Sequence, residues 1–259
     1  MIGIIGGSGL NKPNILKNAE EKEIRTPYGK ASSSISIGEI KGVKIALLAR
    51  HGHNHSINPT NINYRANIWA LKEIGCKYIL AASACGSLKE EIFPGTLILA
   101  DQFIDMTKHR NPTFFDKDKV AHIPMAEPFC PKLRKLLSQN AKKLNLKFFE
   151  KGTVITIEGP RFSTKAESHL WRQLGADVIN MTTVPECVLA REMGMCYQVV
   201  AMATDFDAWH ETEETVNIEM VLKVMKENAE NVTRLFLEVI QKVNHTECHC
   251  MEAIKNSVI

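Results

Sequence analysis

Two carboxylates that follow a long apolar run are the first place to look for chemistry. Residues 195–203 suit a buried strand, and Asp205 and Asp207 come directly after it. Ligands of open α/β sheets bind at the carboxyl ends of the strands, so both acids are candidate binding groups. A carboxylate there can accept a hydrogen bond from an exocyclic amine, and a protonated Asp205 can donate to a ring nitrogen and neutralise a departing base. The alternative is that the acids cap a helix or cover a surface turn.

Three further apolar runs end in groups that bind anions. These groups are Ser8 within Gly6-Gly7-Ser8-Gly9, Arg50 with His51, and Ser83. Glycines let backbone N–H groups approach an anion, the arginine fork donates two parallel bonds to phosphate, and a neighbouring histidine adds a donor. The glycine segment matches neither the dinucleotide fingerprint nor a P-loop, and alone it is as often a tight turn. Because all three runs are expected to end at one sheet edge, together they predict an anion pocket.

The segment after Arg50 also allows a metal-site reading. His51, His53 and His55 alternate, so in an extended chain they would share one face, as a transition-metal site requires. A metal-dependent hydrolase or deaminase would be the corresponding function. An anion site and an ordinary polar loop remain the other two readings.

An aromatic residue and a cysteine pair complete the candidate groups. Phe162 follows the strand predicted at residues 153–157 and can stack on a planar ligand or belong to the core. Cys248-His249-Cys250 lies in the tail beyond the last helix. It can be half of a zinc site or a redox pair, but a full zinc site needs more ligands with recognisable spacing.

The elements that must position these groups alternate between strands and helices, which indicates an α/β fold. Strands are predicted at residues 2–5, 35–40, 43–48, 78–82, 96–100, 153–157 and 195–203, and helices at 60–75, 131–145, 164–175, 183–194 and 217–243. Thr164 with Glu167, and Thr183 with Glu186, have the spacing of helix capping boxes. Residues 101–128 are predicted to be a long irregular segment.

Composition limits the class of protein. The 259 residues, 44% apolar and 24% charged, predict one domain over 1–259, with about 244–259 as a C-terminal tail. A formal charge of +3 from scattered basic residues argues against nucleic acid as a partner. No apolar run reaches the length of a membrane span and no signal peptide is evident, so we expect a soluble, cytoplasmic protein without a membrane partner.

Longer stretches point to a family. They are 63–71 (NYRANIWAL), 84–88 (ACGSL), 122–129 (HIPMAEPF), 156–163 (TIEGPRFS) and 180–186 (NMTTVPE). With these, the chain resembles the nucleoside phosphorylase superfamily, purine nucleoside phosphorylase type, over nearly its whole length. The resemblance implies a single-domain three-layer α/β/α fold with a mixed central sheet.

The implied activity is phosphorolysis of S-methyl-5′-thioadenosine to adenine and 5-methylthioribose 1-phosphate, a step of methionine and purine salvage. Broader use of adenosine, inosine or methylthioinosine is the alternative. Phosphate would be a co-substrate, and neither a cofactor nor a metal would be needed. A homotrimer, or a hexamer built as a dimer of trimers, would be the assembly.

The resemblance also implies roles for individual residues. Ser8, Arg50, His51, Ser83, Ala84 and Thr182 would hold phosphate, Met181 would contact the ribose, and Phe162, Ser163, Asp205, Phe206 and Asp207 would surround the base. Asp205 and His51 would be catalytic, with Asp205 at N7 and Asp207 at the 6-amino group. Ile218, Val221 and Leu222, with His122 of the partner subunit, would line the methylthio pocket.

The cysteine tail is similar to that of heat-adapted archaeal members of the family, in which such cysteines join disulfides. That likeness implies a pair between Cys130 and Cys196, and another between Cys187 and either Cys248 or Cys250.

Overall fold

A mixed sheet forms the centre of the molecule. The computed structural model describes residues 1–6, 15–211, 218–243, 248–255 and 257–259, with side chains of the last long helix from residue 223 onward. The eleven strands of the described residues are β1 Ile2–Gly6, β2 Lys17–Lys22, β3 Ile35–Ile40, β4 Val43–Ala49, β5 Tyr78–Ser87, β6 Leu97–Leu99, β7 Gln102–Met106, β8 Phe148–Phe149, β9 Thr153–Ile157, β10 Val178–Asn180 and β11 Cys196–Phe206. The strands predicted at residues 35–40 and 43–48 are confirmed and pair as an antiparallel hairpin, and β9 has the predicted bounds.

The long strand β5 is the axis of this sheet. It pairs in parallel with β1 and β11, and at its carboxyl end it pairs antiparallel with β10. β1 is also parallel to β4, so the ends of β1, β4, β5 and β11 meet at one edge, as the sequence predicts. A bulge between Ala203 and Asp205 shifts the register of β11 just before its acidic end.

Alternating residues of the central strands belong to two apolar core layers, one on each face of the sheet. Ile5, Ile79 and Val199 belong to the layer that also contains residues of α1 (Tyr64–Glu73) and α4 (Thr183–Glu192). Their sequence neighbours Ile4, Leu80 and Val200 belong to the opposite layer, with α2 (Pro131–Lys143) and α5 (Ile218–Val243). Successive side chains of a strand point to opposite faces, and here helices cover both faces, which is why the strands are continuously apolar. This confirms the three-layer α/β/α arrangement.

The predicted N-terminal caps agree with the structure for one helix and not for another. α3 (Lys165–Gln173) begins with the predicted capping box, in which Thr164 and Glu167 satisfy each other's backbone N–H groups. α1 is different: it begins after Asn63, whose side chain accepts from the Ala66 N–H, and Thr60 lies in a separate 3₁₀ turn over Pro59–Asn61. The prediction of a helix from residue 60 was therefore wrong.

Three other predictions need correction. The capping box of Thr183 and Glu186 does not form: the N-cap residue of α4 is Thr182, whose side chain makes no cap hydrogen bond, and Glu186 is buried in the core. β5 continues to Ser87 because β11 pairs with it up to that residue, so Ser83 lies within a strand rather than after one. The segment 101–128 is not wholly irregular, since its first residues form β7 against β9.

The tail packs on the body of the protein. Cys250 is buried in the layer of α2 and α5, and the backbone groups of Val120 and Ile259 exchange hydrogen bonds of 3.2 and 2.9 Å. None of the described helices is long and apolar enough to cross a membrane.

The cysteines do not form the predicted disulfides. All seven are free thiols, and Cys187 lies in the layer of α1 and α4, across the sheet from Cys130, Cys196 and Cys250. Because the sheet separates them, Cys187 has no access to the tail cysteines.

Candidate active site

A cavity of about 500 Å³ opens at the edge where the central strands end. Loops after β4 and β9, the turn between β10 and α4, the end of β11 and Met225 of α5 all contribute to its wall. The predicted site residues that line it are Arg50, His51, Ser83, Ala84, Phe162, Ser163, Met181, Thr182, Asp205 and Asp207. The anion-binding groups and the two acids, which the sequence separates by up to 157 positions, therefore share one space.

Arg50 is held by a partner that the sequence did not reveal. Its Nε and Nη2 donate to the two carboxylate oxygens of Glu186 at 2.7 and 2.8 Å, and its Nη1 donates to the Ala82 carbonyl at 2.8 Å. Burial favours the neutral guanidine, but the charge of Glu186 outweighs it and raises the pKa of Arg50. Three of the five N–H donors are thus used, which leaves two for an anion in the cavity.

Glu186 in turn is fixed by Tyr197, whose hydroxyl donates to Oε1 at 2.7 Å. Arg50 and Glu186 have side chains that are 1% and 0% exposed. A charge pair buried to this extent needs every hydrogen bond it makes, because desolvation of both ions opposes it. This is why Glu186 serves Arg50 rather than the start of α4.

His51 has one ring nitrogen engaged by the backbone. Its Nδ1 lies 2.9 Å from the Ile57 carbonyl, which can only accept, so Nδ1 carries the hydrogen. Burial lowers the pKa of His51 to about 4, and the charge of Arg50 adds to the effect. The imidazole is therefore neutral near pH 7, and its Nε2 is a hydrogen-bond acceptor, whereas the sequence suggested a donor.

The three alternating histidines do not converge on a metal. Positive φ angles at Gly52 and His55 turn the chain, so the extended geometry on which that prediction depended is absent. His51 and His55 stack with ring centroids 4.2 Å apart, whereas His53 Nε2 lies 3.3 Å from Ser34 Oγ. No group of metal-ligating side chains includes these histidines in the part of the chain that the structure describes.

Hydroxyl groups converge beside Arg50. Ser83 Oγ lies 3.0 Å from Thr182 Oγ1, and Asn180 Nδ2 donates to Ser83 Oγ at 3.1 Å and to Thr183 Oγ1 at 2.7 Å. Asn180 ends β10 and is 4% exposed. It orients the hydroxyls so that they can serve an anion, a function that a lone Asn at a strand end does not signal.

The two acids occupy another part of the cavity wall, at the end of β11. Burial raises the pKa of Asp205 to about 6, while a hydrogen bond of 2.5 Å from Thr204 Oγ1 works against that rise and the charge of Asp207 adds to it. Asp207 is 8% exposed, and its Oδ2 is buried without a hydrogen-bond partner among the described atoms. A buried acceptor without a donor is costly unless a ligand supplies one.

Gly86 of β5 allows the acids to approach the sheet. A Cβ at this position would lie 3.2 Å from Ile179, 3.3 Å from the Asp207 Cβ and 3.5 Å from Asp205 Oδ2. Any larger residue would therefore push against both the wall of the cavity and the acids.

Other predicted residues lie elsewhere. Phe206 stacks on His210, with ring centroids 4.3 Å apart, and is not part of the cavity wall. His122 is exposed, and its backbone N–H donates to the Ser257 carbonyl at 2.8 Å. Phe162 is 81% exposed, which excludes the core reading for it. Ser8, and the side chains of Ile218, Val221 and Leu222, lie outside the described residues.

Arg110 is a positioning residue that sequence reasoning missed. Its Nη1 donates to the carbonyls of Met181 and Val184 at 2.7 and 2.6 Å, its Nη2 to the Glu158 carbonyl at 2.7 Å, and its Nε to the Glu158 carboxylate at 3.2 Å. The side chain is 1% exposed. It ties the turn that carries Met181 and Thr182 to the end of β9, and nothing in the irregular segment around it predicts this.

Comparisons with known proteins agree with the geometry. Residues 1–241 match the family model described as the phosphorylase superfamily. A curated protein of Danio rerio, named S-methyl-5′-thioadenosine phosphorylase, is 56% identical over 247 residues, which are 93% of this chain and 88% of that protein.

Solved structures are similar over the whole fold. A methylthioadenosine phosphorylase from an Antarctic soil metagenomic library has a TM-score of 0.95 and 40% identity, and the match covers 100% of this chain and 92% of that one. A single-residue variant of the adenosine/methylthioadenosine phosphorylase of Schistosoma mansoni, crystallised with methylthioadenosine, has a TM-score of 0.91 and 38% identity, with 98% and 95% coverage.

Proposed function

The chain belongs to the phosphorylase superfamily, and from that premise we propose that it catalyses the reversible phosphorolysis of S-methyl-5′-thioadenosine. The products are adenine and 5-methylthioribose 1-phosphate. One observation carries the proposal: a single cavity holds an anion-binding region built on Arg50 and Ser83 and an acidic region built on Asp205 and Asp207. The relatives that share the fold and about half the sequence carry this activity in their names.

Phosphate binds between Arg50, His51 and the hydroxyls of Ser83 and Thr182. Arg50 contributes its two remaining N–H groups, and the hydroxyls and the Ala84 backbone complete the contacts. His51 Nε2 accepts a hydrogen bond from the protonated oxygen of the phosphate, which orients the anion and leaves its unprotonated oxygens free for attack. The family resemblance implies that Ser8, which lies outside the described residues, also contacts the phosphate.

The purine binds at the opposite region. Asp207 Oδ2, buried and without a partner, accepts from the 6-amino group of adenine. Asp205 shares a proton with N7, because a carboxyl group with a pKa of about 6 exchanges protons readily near neutral pH. Phe162 and Ser163 flank the base, and Met181 contacts the ribose.

Cleavage then follows from position and charge. As the glycosidic bond lengthens, positive charge develops on the ribosyl group and negative charge on the base, and Asp205 stabilises the latter by supporting N7 protonation. Phosphate attacks C1′ from the opposite face. Because one cavity holds both reactants, the reaction avoids the entropy cost of bringing them together from solution. Inorganic phosphate is the co-substrate, and these steps require no cofactor.

A homo-oligomer, trimer or hexamer, is part of the proposal. Phe162 at the wall of the cavity is 81% exposed, which favours a neighbouring subunit that covers it. In that assembly the partner subunit's His122 approaches the methylthio group. The cytoplasmic location stays a prediction from the sequence.

The test is adenine release from methylthioadenosine with and without phosphate. We expect turnover only with phosphate, and 5-methylthioribose 1-phosphate as the second product. Release of free methylthioribose at an equal rate without phosphate would assign the protein to the hydrolases. Parallel assays with adenosine, inosine and methylthioinosine measure breadth: comparable kcat/KM values for all four would replace the specific assignment by a broad purine nucleoside phosphorylase.

A further inference from the structure

Four cysteine side chains converge far from the cavity. Their sulfur atoms belong to Cys130, Cys196, Cys248 and Cys250, and all lie within 4.8 Å of one another. Cys130 Sγ is 3.4 Å from Cys248 Sγ, which is 3.1 Å from Cys250 Sγ. Cys130 precedes α2, Cys196 begins β11, and the other two come from the tail. Among the described residues, no other group of three or more His, Cys, Asp or Glu side chains lies close enough together to hold a metal ion.

We propose that these four thiols form a structural zinc site. In a tetrahedral Zn²⁺ site with Zn–S distances of about 2.3 Å, the sulfur atoms lie about 3.8 Å apart. Two of the sulfur separations here are 3.1 and 3.4 Å and none exceeds 4.8 Å, which is compatible with that value. A disulfide requires about 2.05 Å, which none of these thiols reaches in this structure.

The surroundings suit thiolates. The Leu133 N–H, in the first turn of α2, donates to Cys130 Sγ at 3.5 Å, so the positive end of a helix faces one sulfur. Arg191 Nη1 lies 3.8 Å from Cys250 Sγ, and its Nε is fixed by the Pro124 carbonyl at 2.9 Å. Four thiolates and Zn²⁺ carry a net charge of −2, and these donors offset part of it, as outer contacts do in zinc sites.

The ligand set defines the class of ion and its role. Sulfur ligands exclude Ca²⁺ and Mg²⁺, which prefer oxygen, and favour Zn²⁺. His249 between the two tail cysteines is almost fully exposed, with 98% of its side chain accessible, so it does not compete as a ligand. Four protein ligands leave no open position for substrate or water, which makes the site structural. Binding converts four S–H groups to thiolates and releases their protons to solvent.

The consequence is a link between the tail and the catalytic strand. Cys196 begins β11, and Asp205 and Asp207 lie at the other end of the same strand. A zinc ion would fasten the tail and the start of α2 to this strand. The proposal departs from the expectation that no metal is needed. The sequence shows only the tail pair as a possible half-site, because the other two ligands lie 118 and 52 positions before Cys248 (248−130 and 248−196).

The experiment measures metal content and coordination in the whole protein, purified under reducing, oxygen-free conditions. We expect one zinc per chain. After exchange with Co²⁺ alone, we expect the visible bands of a tetrahedral site and the charge-transfer band of cobalt–thiolate bonds. The double variant Cys248→Ser, Cys250→Ser should lose both signals, and the control Cys76→Ser, a buried cysteine outside the cluster, should keep them.

Stability provides a second readout. A strong chelator should lower the Tm of the wild-type protein by about 5 °C or more and leave that of the double variant unchanged, while short activity assays below the Tm keep their rates. If the double variant fails to fold, the Co²⁺ spectrum of the wild type decides. Reduced thiols that bind neither Zn²⁺ nor Co²⁺, or a mass lower by four hydrogens that reveals two disulfides in protein purified under reducing conditions, would overturn the proposal.

Discussion

Arg50 and Glu186, 136 positions apart in the sequence, form a bidentate ion pair that is almost fully buried beneath the proposed phosphate site. Glu186 balances the charge of Arg50 and fixes its side chain through two hydrogen bonds. A bound phosphate therefore meets a guanidinium that is already oriented. It also makes phosphate affinity dependent on Glu186, a residue that does not line the cavity.

Glu186→Gln should destabilise the protein by about 3–5 kcal/mol, because it leaves a buried charge without its counter-ion. Phosphate would then supply the missing negative charge, so we expect the Tm of the variant to rise more steeply with phosphate than that of the wild type. Denaturant unfolding and Tm series in phosphate measure both effects. Glu150→Gln, which breaks an exposed pair with Lys142, is the control and should change little. Parallel phosphate dependence in all three proteins would contradict this coupling.

Asp207→Asn should shift the substrate preference from 6-amino to 6-oxo purine nucleosides. The carboxylate accepts from an amino group, whereas the amide can also donate to a carbonyl oxygen. We expect the ratio of kcat/KM for methylthioadenosine to that for methylthioinosine to fall about 10- to 100-fold, as for the exchange of one buried hydrogen-bonding group. Asp118→Asn, on the surface, is the control. An unchanged ratio would remove Asp207 from base recognition.

Asp205→Asn should stabilise the protein at high pH. The pKa of Asp205 is raised from 3.8 to about 6, so the folded state binds the proton more tightly than the unfolded state. The charged carboxylate then costs up to about 3 kcal/mol above pH 6, and nothing below pH 4. The gain in unfolding free energy of the variant should therefore appear between pH 4 and 6 and persist at pH 8. A gain in unfolding free energy that does not depend on pH would contradict the raised pKa of Asp205. The activity of the same variant should fall.

Arg110→Lys should reduce turnover more than it reduces substrate binding. Lysine keeps the charge but cannot replace a planar fork that donates to several carbonyls at once. The turn with Met181 and Thr182 would loosen, and we expect kcat to fall about 10- to 100-fold. Arg134→Lys, in a partly exposed pair with Asp101 at 3.3 Å, is the matched control. A loss confined to Tm, with kcat intact, would make Arg110 a structural residue only.

Much of the fold follows from the sequence because its signals are local. The continuous apolar runs of β1, β5 and β11 predict buried strands, and the bounds of β9 and the capping box of α3 agree with the structure. Asp205 and Asp207 come at the end of a strand in both. These features depend on residues within a few positions of one another, where periodicity and capping chemistry decide the outcome.

The sequence by itself determined which groups reach the sheet edge; only the tertiary structure decided their partners. Glu186 had a local use at the start of α4 and a distant one at Arg50, and the distant one prevailed because the buried charge of Arg50 requires a counter-ion. His51 Nε2 is an acceptor because Nδ1 carries the hydrogen and donates it to the Ile57 carbonyl. The contacts of Arg110 and the four-cysteine cluster each join segments that are distant in the sequence. A side chain selects its partner by proximity and burial in space, and neither can be measured along the chain.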